Sequence, residues 1–232
     1  MSEIMLDVVN VDKKYNENKS NEIHVLKGIN FSVPAGQMVA IMGKSGCGKT
    51  TLLNLIGGLD KVTTGDIKIA NQSVSQMTDK TLTEFRRDSV GFIFQLFNLF
   101  DEQTVYQNVS LPLLLQKIPL EETRTKVERL LQEVGLIDRI YSLPNTLSGG
   151  EQQKVAIART LIGNPKIILA DEPTGDLDMS TSSDIMALFR RMQKENQSLS
   201  IIIVTHSQWI ADQCDRIIRI EDGKVSKDTK VK

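Results

Sequence analysis

The string GKSGCGKT at residues 43–50 constrains this chain more than any other segment, because it calls for a strand, a glycine-rich loop and a helix in that order. QMVAIM at 37–42 leads into it as a short apolar strand, and Leu52, Leu53 and Ile56 follow at helical spacing. Glycines permit backbone turns closed to branched residues, so successive N–H groups and the positive end of the helix can converge on phosphate oxygens. In this pattern Lys49 is the mobile cation for β- and γ-phosphates, and Thr50 offers a hydroxyl suited to Mg²⁺. A purely structural glycine turn would need neither side chain. Cys47 stands at a variable position of the loop and reads as a small neutral filler.

Two later strands end in polar groups of the kind phosphate chemistry uses. KIILADE at 166–172 is an apolar strand delivering Asp171 and Glu172 at its end, where one carboxylate can hold a metal and the next can orient water. SIIIVTH at 200–206 has the same form and ends on His206, one of two histidines, within reach of a γ-phosphate. The other, His24, is flanked by strand residues and reads as structural.

Apolar strands that do not alternate imply a sheet covered on both faces, hence an α/β class. Strands are expected at 4–11, 24–33, 65–70 and 89–95 and as closing strands over 216–225, with the polar run 13–22 as a turn or loop. Helices are expected at TLTEFRR, across TVYQNVSLPLLLQ with Pro112 starting or kinking it, from Glu121 to a stop at Gly135, and at 151–162 and 183–196. The stretch 75–160 reads as mostly helical, an insertion forming a subdomain. Only the tail KVSKDTKVK lacks a packing pattern and is expected to be free.

With 232 residues the chain is long enough for a full core and should bury roughly 70% of its extended surface. A formal net charge of −1 disfavours binding to nucleic acid through its phosphates. No window approaches the roughly 20 apolar residues of a membrane span. The N-terminus has no signal-peptide pattern, and Cys47 and Cys214 show no metal or redox spacing, so a reducing cytoplasm is the expected compartment.

Between the two halves stands LSGGEQQKVAIARTL at 147–161. Taken with the phosphate loop, Gln95 after GFIF, ADEPTGDLD at 170–178 and THS at 205–207, it makes the chain resemble the ATP-binding cassette (ABC) family of ATPases over residues 3–226. The resemblance implies a P-loop NTPase with a RecA-like core, an N-terminal antiparallel β subdomain and an inserted helical subdomain carrying the signature, here about 96–160. Residues 1–232 would form one ATPase domain, with 226–232 as a flexible tail.

It implies ATP and Mg²⁺ as ligands and a head-to-tail dimer, in which each ATP lies between the phosphate loop of one subunit and the signature of the other. Gly43, Lys44, Ser45, Gly46, Cys47, Gly48, Lys49, Thr50 and Thr51 would bind nucleotide, with Tyr15 stacking on adenine. Ser148, Gly149 and Gly150 would donate to the γ-phosphate of the other subunit, and Asp178 would act across the dimer. Thr50, Gln95 and Asp171 would serve the metal, and Glu172, His206, Lys49 and Gln95 catalysis, Glu172 as general base. From the residues alone, Tyr15 reads first as core or hairpin packing, with an aromatic platform as the other reading.

The segments at 57–69, 92–114 and 171–178 look most like the branch serving macrolide, lipoprotein and antimicrobial-peptide systems. Val62 and Asp176 depart from it, where proline and asparagine are usual, and Glu151 replaces a common glutamine. Asp176 adds a second carboxylate near the expected dimer seam. The partner implied is a separately encoded transmembrane permease at the cytoplasmic face of the membrane. Its substrates would be peptide-like, lipoprotein or amphipathic; the alternative is a membrane partner engaged in signalling, envelope regulation or division. Phe92, Phe94, Phe97 and Phe100 around Gln95 read either as subdomain core or as a groove for a short helix of that partner.

Overall fold

The computed structural model describes residues 3–231. The chain opens with an antiparallel pair, β1 (Ile4–Tyr15) and β2 (Ile23–Pro34). It continues through β3 (Met38–Met42), α1 (Lys49–Ile56), β4 (Thr64–Ile69), the short β5 (Gln72–Ser73) and α2 (Asp79–Ser89). Next come β6 (Val90–Ile93) and three helices, α3 (Val105–Leu115), α4 (Leu120–Glu133) and α5 (Gly149–Leu161). The last part alternates β7 (Ile167–Asp171), α6 (Met179–Glu195), β8 (Ser200–Val204) and α7 (Gln208–Asp212), then closes with β9 (Arg216–Glu221) and β10 (Lys224–Lys230).

Two sheets result, a four-stranded one ordered β2-β1-β4-β5 and a six-stranded one ordered β10-β9-β3-β8-β7-β6. The second is parallel from β9 to β6, with β10 added antiparallel at its edge. The alternation of side chains along β3 explains the unbroken apolar run in the sequence. Met38, Ala40 and Met42 face a core built with α4, α5 and α6. Val39 and Ile41 face a second core shared with α1 and the antiparallel sheet. Asp171 and the residue after Val204 therefore emerge at the same edge as the loop after β3, since these parallel strands are adjacent and in register.

Local chemistry sets the helix ends. Thr104 and Gln107 form a capping box at α3, and Ser148 and Glu151 form one at α5. Pro112 lies inside α3 rather than starting it. Helix α4 ends just before Gly135, whose φ of +75° suits a glycine. Helices α3, α4 and α5 pack together, with α2 and β6 preceding them. Among the described residues no helix is long and apolar enough to cross a membrane.

Three expectations need correction. β1 runs past Val11 to Tyr15 because Lys13, Lys14 and Tyr15 pair with Leu26, His24 and Ile23, which shortens the expected loop. β6 stops at Ile93, leaving Phe94 and Gln95 beyond the ladder. The tail is not free: residues 226–230 lie in β10, where Lys227 to Lys230 pair with Arg219 to Arg216. Arg216 also binds Asp228 through both Nε and a terminal nitrogen, and Val231 N–H donates to Asp215. Charged residues on an exposed edge strand look unpatterned in sequence although the backbone is paired. Lys232 lies outside the described residues. Truncation after Val225 is expected to remove about 1 kcal/mol and lower Tm by about 2–4 °C, measurable by thermal melting.

Candidate functional site

Gly48 caps α1 with φ +102°, a conformation that L side chains avoid, and Lys49 begins the helix directly after it. Gly43 is equally confined, since an added Cβ would lie 2.3 Å from the Ile220 carbonyl oxygen. These positions bring the loop's N–H groups and the start of α1 around one opening. Lys49 Nζ donates to the carbonyls of Gly43 (2.9 Å) and Lys44 (3.0 Å), bridging the loop. Lys44, Ser45 and Gly46 are exposed, whereas Cys47 is half-buried and packs toward the core beneath the antiparallel sheet, as a small filler would.

A cleft of about 470 Å³ opens here, lined by Ser45, Gly46, Gly48, Lys49, Thr50 and Thr51 and, from other elements, by Gln95, Asp171, Glu172 and His206. The fold thus gathers residues from 45 to 206 along one strand edge. Asp171 ends β7, and burial pushes its carboxyl above the usual range, opposed by a hydrogen bond from Thr50 and the charge of Lys49. Glu172 follows at φ +45°, uncommon for a residue with a side chain, and its N–H donates to the Val204 carbonyl. That turn aims its carboxylate back across β8. Oε2 accepts from the Thr205 hydroxyl (3.1 Å), and Oε1 lies 2.8 Å from His206 Nδ1. Gln95 Nε2 donates to Asp176 (3.2 Å), so the unusual carboxylate holds this glutamine.

Ser148, Gly149, Gly150 and Asp178 stand apart from the cleft lining, as do Gly43, Lys44 and Cys47 of the loop itself, the last two facing an adjoining opening on the other side of Ser45 and Gly46. Ser148 is the cap of α5, its Oγ accepting from Glu151 N–H (3.3 Å) while Glu151 accepts from Ser148 N–H (2.8 Å). Those bonds and the Arg139 guanidinium hold the Glu151 carboxyl below its usual range. Gly150 is compelled by packing, because a Cβ would come within 2.5 Å of Thr181 Cγ2. Asp178 caps α6 by accepting from Thr181 N–H (3.0 Å) and its hydroxyl (2.6 Å).

Tyr15 is also outside the cleft lining, at the end of β1, with its hydroxyl donating to Asp60 (2.8 Å). His24 pairs with Asp12 at 2.7 Å, in keeping with a structural part. Phe92 and Phe94 stack at 5.6 Å, and beside them a groove of about 230 Å³ is lined by Phe92, Leu111, Pro112 and Leu115 and edged by Arg86, Arg87 and Arg159.

Sequence reasoning missed Thr205 and Gln153. Thr205 is fully buried and orients Glu172. Gln153, fully buried on α5, donates to the carbonyl of Pro173 (2.6 Å), tying that helix to the residue after Glu172. Neither residue type signals such a role from its neighbours in sequence.

The family described as ABC transporter matches residues 26–175. The lipoprotein-releasing system ATP-binding protein LolD of Geobacter metallireducens is 41% identical over 97% of this chain and 99% of its own length. The macrolide export ATP-binding/permease protein MacB of Rhodopirellula baltica is 44% identical over 90% of this chain, which spans 31% of that relative's length. Among solved structures, the ATP-binding cassette MJ0796, dimeric in a post-hydrolysis state bound to ADP and Pi, superposes with a TM-score of 0.90 at 41% identity, covering 98% of this chain and 99% of that one.

Proposed function

This chain belongs to the ABC transporter family of ATP-binding ATPases, and from that membership we propose that it hydrolyses ATP in a head-to-tail dimer to drive a membrane permease, exporting or extracting lipoprotein, peptide-like or amphipathic substrates. The observation that carries the reading is the cleft where Lys49, Thr50, Asp171, Glu172 and His206 converge while Ser148, Gly149 and Gly150 stand outside it. In this reading the cleft supplies one half of the phosphate-binding set, and the helix start at Ser148 supplies the other half to the nucleotide of a second subunit. The dimeric state of MJ0796 supports the same arrangement.

In this mechanism the N–H groups of residues 43–50 and the start of α1 bind the phosphates. Lys49 leaves the Gly43 and Lys44 carbonyls for the γ-phosphate oxygens. Glu172, aimed by Thr205, accepts a proton from water as the water oxygen attacks the γ-phosphorus and the bond to ADP breaks. His206, paired with Glu172, steadies the γ-phosphate. The donor set also fits Mg²⁺, which takes one or two oxygen side chains and leaves its other positions to phosphate and water. Thr50 and Asp171 would hold it, Gln95 adjoining, and when bound it neutralises charge on the β- and γ-phosphates.

The groove beside Phe92 supports docking of a short helix from the permease, with its basic edge favouring an acidic or carbonyl-rich helix end. The relatives named for lipoprotein release and macrolide export support the substrate class. The test is capture of the chain from membranes of its own cells, followed by ATP hydrolysis after reconstitution in vesicles. A co-isolated permease that raises turnover is the expected result. Full activity with no membrane protein bound, and no change on adding one, would overturn the coupling.

A further inference from the structure

Lys13 is 8% exposed, an uncommon degree of burial for a lysine, and its surroundings show what holds it there. Nζ donates to Asp60 Oδ1 (2.7 Å) and to the Lys61 carbonyl (2.8 Å), and it stands 4.6 Å from the centroid of the Tyr15 ring. Asp60 uses its other oxygen, Oδ2, to accept from the Tyr15 hydroxyl. Both the face and the tip of the ring are therefore fixed by one ion pair. Tyr15 stays 38% exposed, so the ring keeps accessible surface while a cation holds one of its faces.

Asp60 is itself anchored to the helix that carries the phosphate loop, its N–H donating to the Asn54 carbonyl of α1. We propose that Lys13 and Asp60 are positioning residues that pre-organise Tyr15 as the nucleobase platform and tie it to the phosphate cradle through α1. The proposal rests on the reading of Tyr15 as the residue that stacks on the base. Neither Lys13 nor Asp60 touches nucleotide in this arrangement. Their effect is to remove ring freedom before the base arrives, which lowers the ordering cost of binding. Burial and the Asp60 carboxylate also push the Tyr15 phenol up, so it remains a neutral donor.

The test compares two probes on the full chain, ATP and inorganic tripolyphosphate, which lacks the base. Lys13→Met is expected to weaken ATP about fivefold, leave tripolyphosphate affinity unchanged, and be largely rescued by Lys13→Arg. Tyr15→Ala should weaken ATP at least as much, again without affecting tripolyphosphate. If Tyr15→Ala leaves ATP affinity intact, the platform reading itself falls. If Tyr15→Ala weakens ATP but Lys13→Met does not, or if Lys13→Met weakens both probes equally, the positioning role is overturned while the platform stands. Should Lys13→Met not fold, Tyr15→Phe keeps ring and cation and loses the hydroxyl's bonds to Asp60 and to Thr51 of α1, with an expected ATP loss of about twofold. No loss there would likewise overturn it.

Discussion

Replacing Glu172 with glutamine is expected to reduce ATP turnover by about 10²–10⁴-fold while ATP binding persists. The amide has nearly the shape of the carboxylate and can still accept from the Thr205 hydroxyl, so the turn after β7 should survive. What disappears is the carboxylate oxygen beside His206 that is proposed to take the proton from water. Because nucleotide is then bound but not consumed, the variant should accumulate as an ATP-dependent dimer, visible by light scattering. Unchanged turnover would remove Glu172 as the base. Loss of ATP affinity would reassign it to a structural part.

Ser148→Arg should be comparably severe by a different route. Ser148 lies outside the cleft, so ATP affinity of the isolated subunit should remain near that of the unaltered chain. Turnover should fall by about 10²-fold or more, because in the proposed dimer a bulky cation would replace a donor to the neighbouring subunit's nucleotide. Loss of the cap on α5 costs only about 1 kcal/mol, too little to account for such a fall. Calorimetry on ATP and a hydrolysis assay separate the two effects. Equal losses of affinity and turnover would mean that Ser148 acts on its own subunit's nucleotide.

The fold was legible where burial on both faces imposed a local pattern. β3, β7 and β8 read as apolar runs because each presents alternate residues to one of two cores, and α4 read as a helix because Val127, Leu130 and Leu131 are buried on one face. β10 beyond Val225 was illegible because an exposed edge strand needs backbone pairing but no apolar side chains. The end of β6 was misplaced for the opposite reason: Phe94 continues the apolar run, but the ladder with β7 ends at the pair Ile93–Ala170. In the site, each motif could be read as a string, whereas the contacts that orient its members could not. Gln95 meets Asp176 from 81 positions away, and Thr205 meets Glu172 from 33.

The phosphate loop at 43–50 and the carboxylates at 171 and 172 were determined by the sequence alone, because glycine, lysine, hydroxyl and acid at those spacings need only a strand and a turn to act. Tertiary structure alone decided that Lys13 lies under Tyr15, that Asp60 joins that ring to α1, and that Thr205 and Gln153 brace the Glu172 turn. The physical reason is the range of the interaction. A loop that cradles phosphate is encoded by contiguous backbone conformations, while orientation of a side chain depends on whichever residues the packed sheets and helices bring within hydrogen-bonding distance.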